Sequence, residues 1–175
     1  MALRARYSKI EGMTELLLTQ HRQVRPPVRV ENIVRGLGLE VRAGDLKDVS
    51  GLLVRTGDTA VIGVNSTQSR VRQRFTIAHE LGHFLLHEGI QHHVDHNYRV
   101  NFRSEVSSSA TSVDEIEANF FAASLLMPRH FLDAVNAVDA MDDDARVAEL
   151  ARAFDVSRHA MSLRLVNVYQ HHSPY

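Results

Sequence analysis

His79-Glu80-Leu81-Gly82-His83 is an H-E-x-x-H stretch inside a longer segment, Thr67 to His87. The apolar residues of that segment, Val71, Phe75, Ala78, Leu81, Leu85 and Leu86, recur at near-helical spacing. Side chains four apart on a helix share a face. The two imidazoles therefore point the same way and can grip one metal ion. Glu80 follows the first histidine, within reach of a water on such an ion, where a general base is needed. The stretch implies metal-assisted hydrolysis, most often of a peptide bond, and sets a long helix at the centre of the fold.

Two histidines do not complete a catalytic site, which usually carries three protein ligands and one open position. One known arrangement, H-E-x-x-H-x-x-G-x-x-H, needs glycine at 86 and histidine at 89; the chain has Leu86 and Gly89 and is excluded from it. The other main source is an acid on a later helix, and Val113 to Met127 reads as one. Its apolar stripe is Ala118, Phe121, Ala122 and Leu125. Glu115 lies three residues before Ala118 and so on the inward face, whereas Glu117 is turned away from it. A buried carboxylate without a partner is costly, and a cation is a good partner. Glu115 is favoured, Glu117 is its rival, and the loop acids Glu105 and Asp95 stay open. Asn119, one turn beyond Glu115, is placed to accept a hydrogen bond from a ligand histidine and fix its tautomer. Gly82, Ala118, Ala122 and Ala123 would let the two helices approach closely. A nitrogen-and-oxygen donor set without sulfur favours zinc, with manganese, iron or cobalt as competitors.

Outward from this pair, residues 3–20 read as a helix weakened at Gly12, with Leu16, Leu17 and Leu18 on its buried side. Pro26-Pro27 breaks the chain before a short helix, Val28 to Leu37, stopped by Gly36 and Gly38. Leu39–Arg42, Leu52–Arg55 and Ala60–Val64 read as strands, the last two joined by a turn at Thr56-Gly57-Asp58-Thr59. They predict a small antiparallel sheet, with Ala60–Val64 as the edge an extended substrate would join. Residues 90–112 read as irregular, and His92, His93 and His96 as solvated loop histidines. His87, one turn past His83, is expected to pack or hydrogen-bond near the helix end. Pro128 opens a helix to about Val138, Asp142-Asp143-Asp144 caps one over Ala145–Ala153, and Ser157 caps one to about Tyr169.

The 175 residues contain no cysteine, which excludes disulfides, Fe–S clusters and thiolate metal sites and points to a reducing cytoplasm. No apolar run reaches the length of a membrane span, and Met1–Ile10 lacks a signal-peptide core. Residues 1–35 carry seven Arg/Lys against three acids, and 105–155 eleven acids against three arginines. Solvated surface is the favoured account of both. The last two helices resemble a helix-turn-helix, but Asp155 stands where glycine usually makes the turn. Arg158, His159 and Arg164 are the only basic groups the second offers. Packing on the core is favoured over DNA binding, which needs several phosphate contacts.

Arg74 to His87, then Asn101-Phe102-Arg103, Glu115 to Asn119 and Phe121 to Pro128 together resemble the ImmA/IrrE family of metallopeptidases, over about Pro26 to Val166. The resemblance implies an α+β, thermolysin-like (gluzincin) zinc-protease core with two ligand-bearing helices. It implies His79, His83 and Glu115 as metal ligands and Glu80 as catalytic base. Such proteins cleave repressors carrying a helix-turn-helix domain and so switch on mobile-element or stress genes. The expected organisation is a metallopeptidase domain over 1–138 with a helical extension over 139–175 packed on it. No counterpart of the C-terminal sensor domain of larger members is expected, so control would come from a partner, metal supply or the protein's own gene. The oxyanion donor is unassigned, with Tyr98 and Arg103 as candidates.

Overall fold

A computed structural model describes residues 5–95 and 110–170. Tyr98, Arg103, Glu105, His96 and the Asn101-Phe102-Arg103 stretch lie outside the described residues.

Helix α1 (Tyr7–Gln20) buries Ile10, Thr14, Leu17 and Leu18. That stripe leaves Leu16, expected inside, 56% exposed. Helix α2 (Val30–Gly36) starts later than expected, after the proline pair. Its end is a Schellman closure: Leu39 N–H donates to Val34 O, Gly38 N–H donates to Arg35 O, and Gly38 takes φ 78°. That turn feeds β1 (Glu40–Gly44). Strands β2 (Gly51–Thr56) and β3 (Thr59–Asn65) form a hairpin whose two-residue turn has Gly57 at φ 63°, a value glycine adopts without strain.

The sheet is mixed, not purely antiparallel. Its order is β1-β3-β2-β4, with β1 parallel to β3 and the other pairs antiparallel. The cause is topological: β2 reverses the chain once and β3 reverses it again, so β3, laid between β1 and β2, runs in the direction of β1. β3 is therefore internal, and the expected substrate edge at Ala60–Val64 does not exist. The outer strands are β1 and β4 (His92–Asp95), which forms where an irregular segment was expected.

Helix α3 (Arg70–Leu86) crosses behind β2 and β3 and packs against α4 (Ala110–Leu126), which also contacts α1. Ser69 caps α3 by accepting a hydrogen bond from Arg72 N. Gly82 is where α3 and α4 meet: a Cβ there would lie 3.2 Å from Ala118 Cα and 3.1 Å from Phe121. The last turn of α3 is held by Arg55 of β2, whose guanidinium donates to the carbonyls of Phe84, His87 and Ile90.

Helix α5 (Arg129–Ala134) is shorter than expected because Asn136 adopts φ 50°; a 3-10 turn, Ala137–Ala140, follows. Helices α6 (Asp144–Phe154) and α7 (Arg158–Tyr169) are capped by Asp143 and Ser157. Asp155 makes the left-handed turn between them at φ 54°, and its carboxylate lies 2.8 Å from Arg70 and 3.3 Å from Arg74 of α3. Leu150, Phe154, Met161 and Leu165 belong to the same hydrophobic cluster as Ile77, Leu81 and Phe121. Arg164 is buried there and donates to Met127 O, so it is not a surface base.

Candidate metal centre

Helix α3 supplies the floor of the site. His79, Glu80 and His83 are all buried, and the one-turn spacing of the histidines sets their Nε2 atoms 3.1 Å apart. Helix α4 brings Glu115 across the Gly82–Ala118 contact. Its Oε2 lies 3.4 Å from His79 Nε2 and its Oε1 3.2 Å from His83 Nε2. Glu117 points elsewhere: its carboxylate accepts from Arg6 N, Nε and Nη2 at 2.7, 3.0 and 2.6 Å. Asp95 is buried on β4 with its carboxylate 3.6 Å from Arg72.

Each motif histidine has a partner for its outer nitrogen. His79 Nδ1 lies 3.1 Å from Asn119 Oδ1, so Nδ1–H donates there and the Nε2 lone pair faces inward. His83 Nδ1 lies 3.1 Å from His87 Nδ1, and His87 Nε2 lies 3.2 Å from Glu117 Oε2. With His83 Nε2 kept free, one set of protons satisfies this row: His83 Nδ1–H donates to His87, whose Nε2–H donates to Glu117. Arg6 anchors the far end.

The histidine that sequence reasoning missed is His93. From β4, paired opposite Leu53, it places Nε2 2.9 Å from Glu115 Oε1 and Nδ1 2.9 Å from Glu80 Oε2. The signal was weak: one histidine in a histidine-rich tract shortly after the motif. His79, His83, His93 and Glu115 each offer a ligand atom, all within 4.8 Å of one another.

The electrostatics suit ligation, which needs neutral imidazole and ionised carboxylate. Burial pushes the His83 pKa down to about 4, leaving the ring neutral. Burial alone would raise the Glu115 pKa, but hydrogen bonds from His79, His83 and His93 outweigh it and hold the group well below the usual carboxylate range. His93 is the reverse case: burial opposes its charge, yet Glu115 and Glu80 prevail and push its pKa up to about 10. In chemical terms the donor set fits a divalent ion of the zinc type, and the carboxylate of Glu80 lies beside it.

A family model for the IrrE N-terminal-like domain, Peptidase_M78, matches residues 34–166. The chain belongs to this family. The match runs from the end of α2 to α7 and so takes in both helices of the site. As an IrrE N-terminal-like domain the chain is a metallopeptidase-like α+β protein with residues able to hold a metal. A Mycobacterium tuberculosis transcriptional regulator has a similar fold, with TM-score 0.61 and 19% identity over 94% of this chain and 48% of that protein. The chain thus spans about half the length of that relative. A search of curated proteins finds no match. No helix among the described residues is long and apolar enough to cross a membrane.

Proposed function

We propose that this IrrE N-terminal-like domain is a zinc-dependent endopeptidase whose substrate is a helix-turn-helix transcriptional repressor or a similar regulator. Cleavage would derepress mobile-element or stress genes. The observation that carries this is the convergence of His79 Nε2, His83 Nε2 and Glu115 beside the buried Glu80. His79, His83 and Glu115 are the proposed ligands and Glu80 the proposed base. Zinc suits the donors, and manganese or another divalent ion is the alternative. A cytoplasmic location rests on the absence of cysteine. Residues 139–175 serve as a helical extension of the peptidase, in keeping with the buried Arg164, and not as a DNA reader.

When bound, the ion supplies a Lewis acid for the scissile carbonyl and makes a coordinated water acidic near neutral pH. Glu80 takes the proton of the attacking water and delivers it to the amide nitrogen as the carbon–nitrogen bond breaks. Asn119 and the His87–Glu117 pair keep the ring nitrogens of His79 and His83 in the tautomers that face the site. The outer edge of β4 is where an extended substrate would add as a further strand, bringing its backbone past His93.

The test is to incubate the zinc-loaded protein with a helix-turn-helix repressor encoded beside it and to map new termini. Cleavage by wild type and none by Glu80→Gln is expected. Equal cleavage by both would remove Glu80 from the chemistry, and no cleavage by either would leave repressor hydrolysis without support.

A further inference from the structure

The His93 ring joins the cluster formed by His79, His83 and Glu115. Its centroid is 3.9 Å from that of His83, and its Nε2 faces the same carboxylate as the two motif histidines. Four ligands at zinc distances of about 2.0–2.1 Å in a tetrahedron stand about 3.3–3.4 Å from one another. The separations His79–His83, His79–Glu115, His83–Glu115 and His93–Glu115 are 3.1, 3.4, 3.2 and 2.9 Å. These four of the six possible edges are close to that length, and all four donor atoms lie within 4.8 Å of one another. The other nitrogen of His93 is also arranged as a ligand's would be: Nδ1–H donates to Glu80, the carboxylate–histidine pairing that orients metal-bound imidazoles.

We propose that His93 gives up its Nε2 proton to solvent as the ion binds and becomes a fourth protein ligand beside His79, His83 and Glu115, so that the resting site is closed. Hydrolysis then requires His93 to withdraw, and the same movement frees Glu80 for its role as base. The inference rests on the metal site of the proposed endopeptidase. Its position favours a removable ligand. β4 is a four-residue outer strand, paired with β2 alone among the described residues, whereas the other three donors stand on two packed helices. A substrate strand laid along β4 would be the natural displacing agent, which ties opening of the site to arrival of an extended peptide.

The experiment counts ligating imidazoles by nitrogen NMR of zinc-loaded protein with 15N-labelled histidine, and measures zinc affinity by chelator competition. Three ring nitrogens shifted by ligation are expected in the wild type and two in His93→Ala. His93→Ala should also lose at least about tenfold in zinc affinity, the lower bound for a residue that merely orients a ligand. On an extended peptide His93→Ala should turn over faster than wild type at saturating zinc. Two ligated imidazoles in the wild type, or an unchanged zinc affinity in the variant, would overturn the proposal. His79→Ala and Glu115→Gln separate the two levels: if they also leave zinc binding intact, the metal site itself is wrong, whereas if they abolish it and His93→Ala does not, His93 alone is misassigned. Should His93→Ala not fold, the wild-type count of two or three decides the matter.

Discussion

Replacing Glu117 by Gln tests whether the row Arg6–Glu117–His87–His83 supports the metal site or merely pins the N-terminus. The carboxylate is 2% exposed and takes three hydrogen bonds from Arg6 and one from His87. Glutamine keeps the shape but offers one acceptor and a donor amide, so Arg6, which donates to both oxygens, meets a donor in either orientation, and His87 does as well when the amide nitrogen takes the Oε2 place. Breaking a buried ion pair costs about 3–5 kcal/mol. Arg6 is 43% exposed and recovers water, which reduces the expected loss to about 2–3 kcal/mol. At about 2–4 °C per kcal/mol for a chain of this size, the metal-free protein should melt about 5–10 °C lower. The second consequence discriminates. With the ionic acceptor replaced by a neutral amide that Arg6 also contests, the His87 ring is held less firmly as the tautomer partner of His83, so zinc affinity should fall about 10–100-fold, or about 1.4–2.7 kcal/mol. Thermal unfolding of metal-free protein and chelator competition read the two effects separately. A lower melting temperature with unchanged zinc affinity would refute the relay and leave Glu117 a purely structural anchor.

The same pair predicts an acid dependence. Burial raises the Glu117 pKa, but the Arg6 hydrogen bonds outweigh it and hold the group at about 2 instead of the usual 4.5. Its contribution is full above pH 4.5 and lost as pH falls through about 2, so the stability gap between metal-free wild type and Glu117→Gln should narrow across that window. A gap that stays constant on chemical denaturation at each pH would contradict this. Asn119→Leu removes the acceptor of His79 Nδ1–H while keeping the side-chain size, and should weaken zinc binding about 10–100-fold; an undiminished affinity in the same chelator assay counts against the assigned tautomer. At Gly82→Ala, helix propensity gains up to about 1 kcal/mol, but the added methyl meets Ala118 backbone that cannot retreat, an overpacking cost of about 1–3 kcal/mol. A net loss of about 1 kcal/mol is expected on denaturant unfolding, and a stabilised variant would show that α3 and α4 have room to spare.

What the sequence disclosed follows the range of the forces involved. The α3 and α4 faces were legible because helical periodicity is local: it set His79 and His83 together and turned Glu115, not Glu117, toward them. Asn119 was legible for the same reason. β4 was not. Two of its four residues are histidines and a third is Asp95, and only Val94 has strand character, so its structure comes from pairing with β2. That pairing is also what delivers His93 to the site. The parallel β1–β3 contact was hidden for a related reason, since which strands become neighbours is decided by tertiary packing and not by local pattern. Arg6 gave no signal, being one cation in a basic N-terminal stretch, and its role appears once α1 is laid beside α4. Arg164 illustrates the opposite error. Charge alone marked it as a surface base, whereas α7 folds it inward to Met127 O, and burial pushes its pKa down to about 10.

The central claim is one divalent ion between α3 and α4. Anomalous diffraction at the zinc edge from crystals of the zinc-loaded protein measures it directly. A single strong peak bounded by His79 Nε2, His83 Nε2 and the Glu115 carboxylate is the predicted result. No peak there, or zinc found instead on His92 or His87, would contradict the account.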